Sequence, residues 1–435
     1  MHRLVFVVLL VVSAACGKVD NNGPGDGPGP GDDAGGDSGG GACTANDQCA
    51  APTPVCDTAG GTCVECVQND QCAAGETCDA SSHTCRACSV DADCASDVCD
   101  TETGTCLDEA TVLYTAPNGP DSGTCTKGTP CSLVQANALA DLTRLNVKLA
   151  PGAYSAHIIL TNKTLVFFGT GATINGQGTN ATFEVDDGAH LRIVGATVAA
   201  ATGNATIRCE GAAGATHILE LFRATIVNNS STLLGNPCAM TVKQSVIRNT
   251  GTAFHLVLVP PTVATFDRTH FIGAGGGGLA AFAGCDVHIT NSLFTKVGNA
   301  GSSDRGTFAG GNFTVDFSTI VDSIVQCGST GGGALKLTNS VVRNTIAGQG
   351  DALQGINECG SAKFNVVFPS AAPLGSTNLI ADPQLKNIAA EDYHLLVTSP
   401  ALDHGDPAST VGVDFDGTAR PQGAGRDSGA LEFKP

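Results

Sequence analysis

The sequence predicts an all-β protein: a solenoid with one coil per repeat, preceded by a small disulfide-rich repeat region. Three observations carry that prediction. A motif of one small polar residue followed by apolar ones recurs nine times between Thr173 and Val367, at steps of 20 to 28 residues. A period in the low twenties without helical patterning gives one coil per repeat. Twelve of the 20 Cys fall between Cys43 and Cys106, in three units of four. From residue 109 onward, short runs rich in Val, Ile, Phe and Thr alternate with Gly, Asn and Asp turns, which is strand-and-turn chemistry.

Composition narrows the function. The 435 residues carry 41 acidic and 22 basic side chains, a formal charge of −19. A nucleic-acid binder needs a basic face, so no nucleic-acid partner is expected. The 56 Gly show no triplet period, which excludes collagen.

The N-terminus reads as an address. His2 and Arg3 precede the apolar run Leu4 to Val12. That run is too short for a bilayer, which takes about 20 residues. Residues 1–15 are expected to be a lipoprotein signal peptide. Ser13-Ala14-Ala15-Cys16 resembles a bacterial lipobox, with Ser13 where that pattern prefers Leu. The resemblance implies lipidation of Cys16 and a membrane partner through the lipid anchor. Gly17 stands where Asp would signal inner-membrane retention, so the expected location is the bacterial outer membrane or cell surface. Residues 16–42 comprise that Cys and a stretch dominated by Gly, Asp, Pro and Asn. This stretch cannot bury enough apolar surface to offset chain entropy and reads as a disordered tether.

Residues 43–108 form the Cys-rich region. Its units are Cys43, Cys49, Cys56, Cys63; then Cys66, Cys72, Cys78, Cys85; then Cys88, Cys94, Cys99, Cys106. Local text repeats as well: Asn46-Asp47-Gln48-Cys49, Asn69-Asp70-Gln71-Cys72 and Asp91-Ala92-Asp93-Cys94. Zinc would need Cys or His at short spacing around a tetrahedron. Here the close pairs Cys63/Cys66 and Cys85/Cys88 join adjacent units, and only His83 is nearby. An oxidising compartment and a lack of large apolar residues favour disulfides in place of a core. Four Cys allow three connectivities, and the sequence leaves all three open. The units resemble short Cys-rich modules of extracytoplasmic proteins in predatory and social bacteria. They read as a stiff spacer or as binding knobs.

Residues 109–435 form the solenoid. The motif falls at Thr173-Ile174, Thr197-Val198, Thr225-Ile226, Ser245-Val246, His270-Phe271, Ser292-Leu293, Thr319-Ile320, Ser340-Val341 and Asn365-Val366. The second residue is apolar every time, as an inward ladder requires. Phe271 and Phe294 are expected in that core. Asn229, Asn249 and Asn344 are expected to stack their amides near the turns. The Gly runs 275–278 and 331–333 fit tight or bulging turns.

This region resembles the right-handed parallel β-helix proteins related to pectate lyases, and the resemblance covers roughly residues 110 to 435. Tyr114 to Asp121 looks like the family's opening strand and turn. Ser132 to Ala140 looks like its capping helix, with Ser132 as N-cap and Leu133, Ala136, Leu139 and Ala140 on one face. Leu149 to Tyr154 looks like its first coil. Tyr393-His394-Leu395, Ser399 to Asp403, Asp414 to Gly417, Arg420-Pro421 and Asp427 to Glu432 look like the C-terminal block of bacterial surface members. The implied fold is a right-handed single-stranded parallel β-helix. The helix would seal its first coil and residues 403–432 its last.

Seven further Cys lie here. Cys125 and Cys131 are expected to bond across a loop. Cys209 and Cys238, and Cys327 and Cys359, lie about one coil apart as candidate stacked bridges, leaving Cys285 free.

Enzymes of the resembled family cut or epimerise acidic polysaccharides. Asp186-Asp187 is the one adjacent Asp pair in the coils, as paired-acid hydrolysis would use. The hydrolases' Gly-His-Gly and Arg-x-Lys segments are missing downstream, and the pair also fits a polar turn. Arg223 and Lys243 stand in the same place of successive motifs and suggest a basic stripe for an anionic sugar chain. The lyases' Trp-x-Asp-His segment cannot occur without Trp, and Asp382-Pro383 continues with Gln384 where the epimerases have His-Glu. Asp414-x-Asp416-Gly417 starts like a calcium loop but lacks the later ligands and reads as a turn. No catalytic residue and no metal ligand are therefore expected, and Ca²⁺ is the sole candidate cofactor. The expected function is a surface lipoprotein displaying a β-helix rod for binding or adhesion, with a polysaccharide or another cell surface as partner. The alternatives are a lyase or hydrolase of acidic polysaccharides and a structural envelope component. The sequence leaves oligomeric state open.

Overall fold

A computed structural model describes residues 42–435 except 179, 201–204, 211–216, 229–231, 252–254, 274–277, 299–306, 327–332, 347–349, 357–359 and 371–373. The signal peptide, Cys16, the tether to residue 41, Asn229, Cys327, Cys359 and all but the last Gly of each Gly run lie outside the described residues.

Each Cys unit is a 3-10 turn followed by an antiparallel hairpin. The hairpins pair Val55–Asp57 with Thr62–Val64, Glu76–Asp79 with Thr84–Ala87, and Cys99–Asp100 with Thr105–Cys106. The repeated text has a mechanical reason. Asn46, Asn69 and Asp91 each accept the backbone N–H of the unit's third Cys, at 2.9, 2.9 and 3.1 Å. Gln48, Gln71 and Asp93 accept N–H groups at the start of their own turn. Disulfides join first to third and second to fourth Cys in every unit: Cys43–Cys56, Cys49–Cys63, Cys66–Cys78, Cys72–Cys85, Cys88–Cys99 and Cys94–Cys106. These cross-links stand in for the apolar core the segment lacks.

The rest is a parallel β-solenoid with three strand faces. The first face runs from Val112–Thr115 to Gly360–Lys363 and the second from Gly152–Ser155 to Leu379–Ile380. The third begins at Ile158–Thr161 and continues through Leu256–Leu258. Leu279–Thr290 and Phe308–Asp316 are long strands that turn from the third face into the first.

The second face holds the sequence motif, with its register corrected. Ile174, Val198, Ile226, Ile247, Phe271, Phe294, Ile320, Val342 and Val367 stack as one inward ladder, each fully buried. Thr197, Thr225, His270 and Thr319 precede that ladder directly, as the motif has it. Ser245, Ser292, Ser340 and Asn365 stand one place earlier, at the corner. There they form a second, polar ladder: Ser245 Oγ accepts from Ala224 N at 3.1 Å, Ser340 Oγ from Ser318 N at 3.1 Å, and Asn365 Oδ1 from Ser340 N at 2.8 Å. A small polar residue suits both places, so periodicity alone cannot separate them. Phe271 and Phe294 stack at 4.6 Å, nearly parallel. Asn249 lies in register with Asn228, and its Oδ1 caps the following turn at Gly251 N, 2.8 Å; Asn344 does the same at Ile346 N, 3.1 Å.

Between the first and second faces the chain makes a sharp corner. Arg223, Gln244, Arg268, Asn291, Phe317, Asn339 and Phe364 occupy it on successive rungs, all at φ between 45° and 56°. Left-handed backbone costs about 1–2 kcal/mol at an ordinary residue. The corner offsets this by rung-to-rung bonds, such as Arg223 N to Lys243 O at 3.1 Å and Gln244 N to Asp267 O at 2.9 Å.

The helix Leu133–Leu139 covers the first coil, with Ser132 Oγ accepting from Gln135 N at 3.1 Å. Leu133 and Ala136 are buried and Ala140 packs beside them, but Leu139 faces solvent, contrary to the expected helix face. The C-terminal block also departs from expectation. It does not sit over the last coil but runs along the outside of the second face. Tyr393, Leu395, Ala401, Ala430 and Leu431 cover Leu293, Val321, Val341 and Val366 there. These outward apolar residues need a cover, and the block supplies it as a lateral strap.

Candidate functional site

Asp186 ends the strand Phe183–Asp186, and Asp187 at φ 46° with Gly188 at φ 80° makes the turn into His190–Val194. Ala189 N closes that turn on Asp186 O at 3.0 Å. The pair is thus a turn. Nearby, Glu184 lies between His157 Nε2 at 3.1 Å and Arg208 Nη2 at 3.0 Å, and Glu210 takes Arg208 Nε at 2.9 Å. Burial, then the Glu184 charge, raises the Asp186 pKa above its ordinary value.

The basic stripe of the sequence reading is not formed. Lys243 lies in register with Phe222, and Arg223 sits one place on, at the corner, beside Gln244. Lys243 Nζ instead meets Glu102 Oε1 at 2.8 Å. Arg192 reaches the same module: its two Nη atoms each meet an Asp100 carboxylate oxygen at 2.8 Å, and Nη2 meets Glu102 at 2.9 Å. Burial works against the Glu102 carboxylate, but Lys243 and Arg192 outweigh it and hold its pKa below the usual range. Lys148 pairs with Asp91, Lys127 Nζ with Asp97 at 2.7 Å, and Tyr114 OH donates to Ser96 O at 2.7 Å. Under these contacts Val98 packs on Tyr114, Phe168, Val194 and Phe222. The third Cys module is therefore docked on the first face. Composition marked it as a spacer or knob because its surface, taken alone, is polar. The signal that would have found the dock is the outward apolar row Phe168, Val194 and Phe222 on consecutive rungs, where a solvated strand would be polar.

Asp414, the calcium-loop candidate, holds backbone: its oxygens accept from Thr418 N at 2.6 Å and Glu432 N at 2.9 Å. Arg420 and Glu432 form a wholly buried pair at 2.7 Å, with the guanidinium 4.6 Å above the Phe317 ring. Burial lowers the Arg420 pKa and raises those of Asp427 and Glu432. Several His are structural too: His217 Nδ1 accepts from Gly188 N at 3.0 Å, and the buried His255 ring lies 2.9 Å from Ile272 O. Among the described residues, the groupings close enough to share a metal ion are Cys already joined in the module disulfides. Cys125–Cys131 and Cys209–Cys238 are also bonded, and the buried Cys285 is free. No helix among the described residues is long and apolar enough to cross a membrane.

Two surfaces remain as candidates. The first is an outward row on the first face beyond the docked module: Thr241, Thr265, His288, Thr314, Lys336 and Ser361 on consecutive rungs. The second is a cleft of about 540 Å³ between the docked module and the solenoid corner, with Arg223 on its wall.

No family model and no curated protein matches the sequence. The fold does match a solved structure, the crystal structure of pectate lyase Pel9A, with a TM-score of 0.54 at 15% identity. The match covers 75% of this chain and 98% of that one. At that identity the likeness is one of fold: a pectate-lyase-like parallel β-solenoid, here preceded by a disulfide-rich region.

Proposed function

We propose that this protein is a surface-anchored binding protein whose solenoid engages a polysaccharide without cleaving it. The observation that carries the reading is the polar row of Thr241, Thr265, His288, Thr314, Lys336 and Ser361, one hydrogen-bonding side chain per rung along the first face. Rungs repeat at about 4.8 Å, close to the length of one sugar unit, so such a row offers repeated hydrogen bonds to an extended chain. Three of the acid–base groups singled out in the sequence serve structure instead: Lys243 holds the module, Asp414 the strap, and Asp187 a turn. The pectate-lyase-like fold favours a polysaccharide over a protein partner. Lipidation at Cys16 would hold the rod at the outer membrane.

The test incubates the full chain with a panel of uronic-acid polysaccharides, with and without Ca²⁺. It follows sedimentation with the polymer, absorbance of unsaturated products and new reducing ends. Co-sedimentation with an intact polymer is expected. New chain ends on any substrate would establish the rival lyase or hydrolase. For the anchor, labelled palmitate should enter the wild-type protein and not the Cys16→Ala variant.

A further inference from the structure

The corner between the first and second faces carries a side chain at Arg223 and on every following rung named above. On the two preceding rungs it carries none: Gly169 and Gly195 stand there, bonded rung to rung in the same register through Gly169 N to Val194 O and Gly195 N to Phe222 O, both 3.0 Å. Gly195 has φ 74°. A cleft of about 540 Å³ lies here, beneath the module's Ser89 to Ala92 turn: a Cβ at Gly195 would point toward Thr170 on its wall, whereas one at Gly169 would run into the buried Leu149. The cleft is within the usual size of small-ligand sites.

Its lining is chemically mixed. Phe168, Val194 and Cys99 give an apolar floor. Thr101 and Thr170 contribute hydroxyls with no hydrogen-bond partner among the described residues. Arg223 forms the far wall. Its Nε donates to Gln244 Oε1 at 2.9 Å, and its guanidinium lies 5.0 Å from the centre of the Phe222 ring. Both contacts fix the plane of the fork, and the Nη groups have no partner among the described residues. Asp91, across the cleft, is already neutralised by Lys148. The cleft thus pairs one fixed, unmatched guanidinium with free hydroxyls over an apolar floor.

We infer that this cleft binds one or two acidic sugar units, with the sugar carboxylate against Arg223 and the ring hydroxyls against Thr101 and Thr170. A planar guanidinium matches a carboxylate through two parallel hydrogen bonds. The inference rests on the polysaccharide-binding reading and deepens it: the docked module and the solenoid together form the site, which neither has alone.

The experiment titrates the full chain with galacturonate and glucuronate trimers, with their methyl esters, and with the parent polymers, by calorimetry. Arg223→Gln removes the charge. Gly195→Asn fills the cleft, since Asn tolerates left-handed backbone and the one close approach of its Cβ would be to the movable Thr170 hydroxyl, at 2.9 Å. Thermal melts check that both variants fold. A trimer acid should bind the wild type, bind both variants about tenfold more weakly or worse, and outbind its ester. Equal binding of acid and ester would overturn the assignment to Arg223. Polymer binding that both variants retain, with or without trimer binding, would overturn the cleft and leave the polysaccharide reading standing. No binding of trimer or polymer would overturn both.

Discussion

Arg192 and Asp100, 92 residues apart in sequence, face each other through two 2.8 Å contacts, and both side chains are nearly buried. The contact joins a solenoid strand to a disulfide hairpin. It makes the third Cys module part of the solenoid's surface.

Breaking that pair should undock the module. Arg192→Met leaves Asp100 buried without its partner, which costs about 3 kcal/mol. Proteolysis near residues 107–111 should become rapid, while the melt of the solenoid changes little. The double variant Arg192→Met with Asp100→Leu should recover part of the loss. A module that stays protected in the single variant would show that Val98 and its apolar neighbours suffice.

The strap depends on a buried charge pair. Arg420→Met leaves Glu432 uncompensated beneath the block and should cost about 3–5 kcal/mol. Release of the strap would expose Leu293, Val321, Val341 and Val366, so binding of a hydrophobic dye should rise before the solenoid unfolds. Equilibrium denaturation with dye binding checks this.

Acid should also loosen the strap, through His270. Burial, then the nearby Arg248 charge, lowers its pKa from 6.5 to about 4. The ring lies edge-on to Tyr393 and Phe415 of the strap and contacts Thr295 Oγ1 at 3.1 Å. The unfolded chain therefore takes up this proton at a higher pH than the folded one. Stability is full above pH 6.5 and falls as pH drops from 6.5 toward 4. Part of the ring meets solvent, so the loss is about 2 kcal/mol rather than the full shift. His270→Gln should flatten the stability profile across that window; an unchanged slope would exclude His270 as its source.

The disulfide pattern is open to peptide mapping. Digestion without reduction should release first-to-third and second-to-fourth pairs from each module, together with Cys209–Cys238. Replacing Cys209 and Cys238 by Ala removes a cross-link spanning 29 residues and should cost about 3 kcal/mol, read as a lower melting temperature.

That an inward apolar ladder recurs once per turn was legible because coil packing demands it locally, although on the rungs of Ser245, Ser292, Ser340 and Asn365 the motif's second residue faces outward and its third faces inward. The disulfide units were legible for a similar reason: a chain without large apolar residues needs cross-links, and their spacing repeats. Their pairing was not, because connectivity depends on how each hairpin closes. The strict alignment of Ser245 and Ser340 was hidden, since a small polar side chain satisfies both the corner and the strand that follows it.

The sequence by itself determined the coil, its period and the cross-linked modules before it, since each follows from neighbours within one repeat. Tertiary structure alone decided which outward faces are covered. Phe168 and Phe222 meet Val98 of the third module, and Val341 and Val366 meet the strap residues Leu395 and Leu431. Those choices depend on which distant apolar patches can reach one another, and so does the cleft at Arg223. It lies where a module fixed by Arg192 and Lys243 spans the corner at Gly195.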